Sequence, residues 1–182
     1  VPLDTSSAPD LKDFASRAWL TDLLKPEHIA TKRYFGETAF RNGDMVRFVN
    51  KKVSQFDKEE KLALERAIKA LSAEAGLSRQ AEVEEVETDL IVLGKEDLGY
   101  ELGCSDCHAF HFEDDDADGP DLTGYGSREW MKSFISDPGQ KRFYGENNDR
   151  MPSFLTEGIL TPTEIGLLVD WLRQDWYEPL PK

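Results

Sequence analysis

The chain has 182 residues, 22 Lys plus Arg against 36 Asp plus Glu, a formal net charge of −14 and a hydrophobic fraction of 39%. That length argues for one or two compact domains. No apolar run approaches the ~18–20 residues of a membrane span, so direct membrane insertion by this chain is not expected. With this acidity and no Lys/Arg cluster, nucleic acid and anionic lipid are poor partners, and two cysteines cannot make a disulfide-dense scaffold. A start at Val1 without a charged and apolar leader leads to the expectation that a signal or upstream segment has been removed.

In chain order the predicted elements are almost wholly helical, which makes the fold class all-α. Ser16 to Lys25 is amphipathic through Trp19, Leu20, Leu23 and Leu24, and Pro26 stops it. Asp57 with Glu60 forms an N-capping box for a helix with Leu62, Leu64, Ile68 and Leu71 at its apolar positions, ending at Gly76. Val83, Val86, Leu90 and Leu93 recur at three- and four-residue steps and predict another helix leading toward the cysteines. Ser127 starts a helix that ends at Asp137-Pro138-Gly139. Thr161, Pro162 and Glu164 cap the last one, with Ile165, Leu168, Trp171 and Leu172 apolar.

The two cysteines stand in Cys104-Ser105-Asp106-Cys107-His108, a C-x-x-C-H string. On a helical turn positions i and i+3 share a face, so both thiols reach the two vinyl groups of one haem. The next residue, His108, then comes beneath the porphyrin with an imidazole nitrogen for iron, and the string reads as c-type haem attachment. Three other readings compete. A thioredoxin-like dithiol needs a βαβ context, and no strand pattern precedes Cys104. A zinc site would use Cys104, Cys107, His108 and His111, with tetrahedral closure awkward between adjacent ligands. The third is a chance pair of cysteines.

After the string come Gly119-Pro120-Asp121-Leu122 and Arg150-Met151-Pro152-Ser153-Phe154, followed by the C-terminal amphipathic helix. This order resembles class I cytochrome c over roughly residues 90–177, about half of the chain. The resemblance implies one covalent haem c, with His108 and Met151 as the axial ligands of the metal. It implies that the Pro120 carbonyl accepts the His108 Nδ1–H bond. It matches Tyr100 to the aromatic of the family's first helix that packs on the last helix. The function it implies is one-electron transfer, not substrate turnover, in a periplasmic or other extracytoplasmic compartment. The partner would be a redox protein, and similar tandem modules are attached to membrane-bound quinol-oxidising cytochrome b complexes. A labile sixth ligand would instead make a haem-based sensor or a haem enzyme subunit.

The remaining chemistry-bearing residues read more plainly. Met131, beside Trp130 in a helical pattern, is a core residue, and His28 and His111 are structural or surface residues. Arg128, Trp130 and Arg142 are weaker candidates for neighbours of the haem propionates. The run Glu113 to Gly119 contains D-x-D-x-D-G, the opening of a calcium loop, but the twelfth position is Tyr125 rather than Glu; a solvated acidic insertion is the better reading. Residues 91–182 hold 8 basic against 19 acidic side chains, hence −11 of the charge, which would steer a partner with a basic docking surface.

An internal repeat crosses the chain. Ala8-Pro9-Asp10-Leu11, Ser16-Arg17-Ala18-Trp19 and Lys32-Arg33-Tyr34-Phe35-Gly36-Glu37 recur as Gly119-Pro120-Asp121-Leu122, Ser127-Arg128-Glu129-Trp130 and Lys141-Arg142-Phe143-Tyr144-Gly145-Glu146. Met45-x-x-Phe48 matches Met151-x-x-Phe154, and the Asp57/Glu60 cap matches Thr161/Glu164. The expected organisation is an incomplete, haemless cytochrome c-like module over 1–76, a helical linker over 77–92 and a class I cytochrome c domain over 93–182. An N-terminal half-module cannot close its own core, so it needs cover from the helix around Val83–Leu93 or from the cytochrome module.

Overall fold

The computed structural model describes residues 9–112, 117–148 and 150–175. Among the described residues the regular structure is helical and no strand occurs. The fold is all-α.

Helix α1 (Arg17–Leu23) begins where the Ser16 side chain accepts from the Trp19 N–H. It ends short of the expected Lys25, and Pro26 opens α2 (Pro26–Ile29) from the N1 position, where a missing N–H costs nothing. After α3 (Asp44–Lys51) comes α4 (Lys58–Glu74), started by the Asp57/Glu60 capping box. The α4 face toward the interior is mostly small: Ala63, Ala67 and Ala70 are buried with Ile68 and Leu71.

The helix expected through Val83–Leu93 is two helices, α5 (Ala81–Val86) and α6 (Thr88–Glu96), broken at Glu87. The Glu87 carboxylate is paired with Arg17 and, at 2.8 Å, with Lys69, which ties the break to α1 and α4. The apolar residues that predicted this element do not form its buried face: Val83, Val86, Leu90 and Leu93 are all exposed. Helix α6 meets α4 instead through Gly94, where a Cβ would lie 2.0 Å from the Arg66 carbonyl oxygen. Only a glycine lets the backbones come this close. Asp97, buried one residue past α6, receives both arms of the Arg66 guanidinium at 2.7 and 3.0 Å.

Beyond α6 the chain makes a π turn, Asp97–Glu101. Leu98 and Leu102, four residues apart, are buried, and Tyr100 midway between them is 88% exposed. The expectation that Tyr100 packs on the last helix is therefore corrected. Its position in the turn lies on the opposite side from the two leucines that hold the segment down. Helix α7 (Arg128–Ser136) is capped by Ser127 as expected, and Met131 is buried in it. Helix α8 (Pro162–Arg173) has its Thr161/Glu164 capping box and buries Ile165, Val169 and Leu172 at steps of four and three. Trp171 was expected on that face and is 59% exposed, because the buried stripe passes through Val169 and Leu172 and leaves it outside.

Two stretches repeat one local geometry bond for bond. The Trp19 indole N–H donates to the Asp10 carbonyl at 3.2 Å, and that of Trp130 donates to the Asp121 carbonyl at 3.0 Å. The Asp10 N–H bonds Arg33 O and the Asp121 N–H bonds Arg142 O, both at 2.9 Å. Trp19 meets Tyr34 edge-on at 5.3 Å, and Trp130 meets Phe143 edge-on at 5.0 Å. Between aspartate and tryptophan each chain visits the left-handed region twice, at Asp13 and Ala15 and at Gly124 and Gly126.

These stretches lie against each other in one continuous core. Phe14 packs on Tyr125 at 5.1 Å and on Trp130 at 6.0 Å. A Cβ on Gly126 would lie 2.2 Å from that of Ala15. The joint is sealed by the Arg173 guanidinium, 6% exposed, which donates to Ala75 O and Gly126 O at 2.7 Å and to Gly76 O at 3.1 Å.

Candidate cofactor site

The cysteine segment is shaped by the turn before it. Gly103, at φ +70°, lies in the left-handed region that glycine enters without strain, and it reverses the chain into a 3₁₀ turn over Cys104–Asp106. The Ser105 hydroxyl donates to Gly99 O at 2.6 Å and Lys52 Nζ donates to Leu102 O at 3.1 Å, so the turn is held from both sides. The His108 N–H closes onto Cys104 O at 3.0 Å, which brings the imidazole round to the same side as the thiols.

Cys104, Cys107, His108 and Pro120 line one cavity of about 490 Å³, within the ~300–1,000 Å³ typical of small-molecule and cofactor pockets. His108 Nδ1 lies 2.7 Å from the Pro120 carbonyl oxygen, a bond that only the Nδ1–H tautomer makes. Burial pushes the His108 pKa down against this bond, which favours the neutral ring with its lone pair on Nε2. Gly119 is packed on the ring: a Cβ there would lie 2.5 Å from His108 Cε1. Both cysteines are free thiols. Burial pushes Cys104 up to about 11 and also raises Cys107, with Asp118, Asp106 and Asp44 adding to it. A redox dithiol depends on a lowered thiol pKa and an accessible thiolate, so this environment disfavours that reading.

The residues fit a c-type haem. Two neutral thiols three residues apart, a half-buried imidazole with its outer nitrogen tied down and an apolar chamber are the parts such a group requires. They fit zinc less well. His111 turns away to Glu74, with Nε2 and Oε1 2.9 Å apart, and among the described residues no three His, Cys, Asp or Glu side chains gather as a metal ion would need. Glu74 also takes the Gly124 N–H at 2.9 Å and Lys95 Nζ at 3.0 Å. His28 is engaged with Asp22 at 2.6 Å. The calcium reading rests on residues 113–116, which lie outside the described residues.

Met151 is partly buried against the core, and its carbonyl accepts from Asn148 Nδ2 at 2.7 Å, but it does not line the cavity. Met45, in the first turn of α3, does. Of the three suggested propionate neighbours, Trp130 lines the cavity while Arg128 and Arg142 do not. Arg128 is forked onto Asp170 at 2.7 and 3.0 Å, and Arg142 lies over the Phe143 ring, 3.6 Å from Asp121.

Sequence reasoning missed that α4 would wall the cavity, through Leu64, Ala67, Ile68 and Leu71. The available signal was the repeat, which pairs α4 with the last helix and Met45 with Met151. Comparison with protein-family models, curated proteins and solved structures gives no match.

Proposed function

We propose that this protein transfers single electrons through one covalently attached c-type haem and does not transform a substrate. The observation that carries the reading is the convergence of Cys104, Cys107, His108 and the Pro120 carbonyl on one apolar cavity. Cys104 and Cys107 would hold the group through thioether bonds, each S–H adding across a vinyl C=C so that sulfur takes one carbon and hydrogen the other, with no leaving group and no net oxidation. When bound, the haem supplies a reversible Fe(III)/Fe(II) couple. His108 Nε2 would be one donor to the iron, oriented by Pro120 and by the glycine at its back. A methionine thioether would be the second donor, and such a ligand favours ferrous iron and raises the potential relative to bis-His ligation. The resemblance to class I cytochrome c would assign that role to Met151.

The domain reading belongs to the same proposal: a class I cytochrome c domain over 93–182, a linker over 77–92, and over 1–76 a related half-module with no haem of its own. Its support is the paired geometry of the Asp10–Trp19–Tyr34 and Asp121–Trp130–Phe143 stretches. Because c-type attachment in bacteria occurs outside the cytoplasm, the compartment is extracytoplasmic in this reading. The charge of −14 favours a redox partner with a basic surface. A membrane-bound cytochrome b complex is the assembly to which the resemblance points.

The test is to produce the chain in a host that attaches c-type haem and to record its oxidised and reduced absorption spectra. The expected result is one haem per chain that survives denaturation and acid–organic extraction. Haem that is extracted, or a colourless protein loaded in no host, overturns the reading.

A further inference from the structure

We propose that the sixth ligand of the haem is the Met45 thioether, so that the site is completed by the N-terminal half of the chain and not by the segment that follows the cysteines. The inference rests on the haem reading above and assigns its distal side.

Three observations carry it. First, Met45 lines the cavity together with Cys104, Cys107 and His108, and Met151 does not. Second, the helical wall of that cavity is α4, through Leu64, Ala67, Ile68 and Leu71, while no residue of α8 lines it. In the repeat α4 and α8 are counterparts, as are Met45 and Met151, so the wall and the methionine come from the same copy. Third, the cysteine segment is anchored to that copy. Helix α6 lies backbone against backbone on α4 at Gly94, Arg66 holds Asp97 through both arms, and Lys52, just beyond α3, bonds the Leu102 carbonyl.

The C-terminal copy contributes the near side. Pro120 and Gly119 orient His108, and Trp130 and Phe143 close the chamber. Met45 reaches the cavity as a flexible, unbranched thioether from the first turn of a helix, and Phe40 and Phe48 line the same cavity. On this assignment the half-module has no haem of its own because it serves as the distal half of the one haem site.

The experiment uses the full-length holoprotein with ¹³C-methyl methionine in the ferrous state, where the haem ring current moves the methyl of a bound thioether far upfield. Assignment of the shifted methyl to Met45 is the expected result. Assignment to Met151, or no shifted methyl, overturns the proposal. Covalent haem content measured on the same sample reports separately on the haem reading, which survives either of those results. Met45→Ala and Met151→Ala extend the test. Met45→Ala is expected to lose the thioether-to-iron charge-transfer band, lower the potential and bind carbon monoxide when reduced, with Met151→Ala keeping the band and the closed site. The reverse pattern overturns the proposal.

Discussion

The turn around Ala15 and the turn around Gly126 have the same backbone and different chemistry. Both enter the left-handed region at two positions two residues apart, and both end on a carbonyl buried in the joint. The C-terminal turn does this with Gly124 and Gly126, at no steric cost. The N-terminal one does it with Asp13 and Ala15, at ~1–2 kcal/mol per residue. Asp13 is held in place by Gln174 at 2.6 Å and Arg79 at 3.3 Å; Ala15, fully buried, is held by its neighbours. The carbonyls differ as well. Ala15 O accepts from the neutral Ser72 hydroxyl at 2.9 Å, whereas Gly126 O accepts from the Arg173 guanidinium at 2.7 Å. One conformation is thus maintained by two means, and the asymmetry at the Cβ positions is forced: the two turns touch where a second Cβ would not fit.

Removing the charged clamp has the largest expected effect. Arg173→Met should cost about 4 kcal/mol, because the Ala75, Gly76 and Gly126 carbonyls are left without their donor. Denaturant unfolding measures it, and a loss under about 1 kcal/mol would mean that water replaces the guanidinium. Gly126→Ala should cost about 3 kcal/mol, from a left-handed alanine and the Cβ 2.2 Å from Ala15. Pairing it with Ala15→Gly should recover most of that loss, since the swap exchanges the roles of the two turns; strict additivity would break the comparison. Ser72→Ala, the neutral counterpart of Arg173→Met, should cost only about 1 kcal/mol.

The smallest effect is one of pH. Burial raises the Glu74 pKa, but bonds from His111, Lys95 and Gly124 together bring it below its ordinary 4.5. A lowered folded pKa means stability that is present above the unfolded value and is lost as the pH falls through the folded one. Glu74→Gln should therefore flatten the stability profile below about pH 4.5 while leaving its slope at neutral pH unchanged. An unaltered acid limb in that variant would show that Glu74 does not tie α4 to the segment around His111 and Gly124.

What could be read in the sequence was what depends on neighbours along the chain. The Asp57/Glu60 and Thr161/Glu164 boxes form as their spacing requires, and Ser127 and Asp137 bound α7. Misreadings arose where tertiary contacts decide. The apolar spacing of Val83, Val86, Leu90 and Leu93 marks a helical period, yet Gly94 decides which face of α6 is buried, because close backbone approach outweighs a stripe of side chains. Tyr100 is turned outward by a π turn that no residue pattern announces. Arg173 reads as a solvated helix end until residues far upstream are brought beneath it. At the candidate site Cys104, Cys107 and His108 were legible because their spacing is local, and Pro120 because of what the resemblance implies. Which methionine faces the cavity depends on how two similar segments pack, and linear order says nothing about that.

The contacts that seal the joint span almost the whole chain. Arg173 reaches Ala75 across 98 positions, and Gln174 reaches Asp13 across 161. Loop entropy grows slowly, so closing the longer span costs only ~2 kcal/mol more than closing one of twenty residues. The consequence lies in time rather than in stability. As the chain is made from its N-terminus, the α1–α4 segment is complete long before the arginine that seals it exists, and contacts of such high sequence separation form late. The thiols at positions 104 and 107 therefore pass through an interval in which the N-terminal wall of their cavity is made while Trp130, Phe143 and the sealing arginine are still to come.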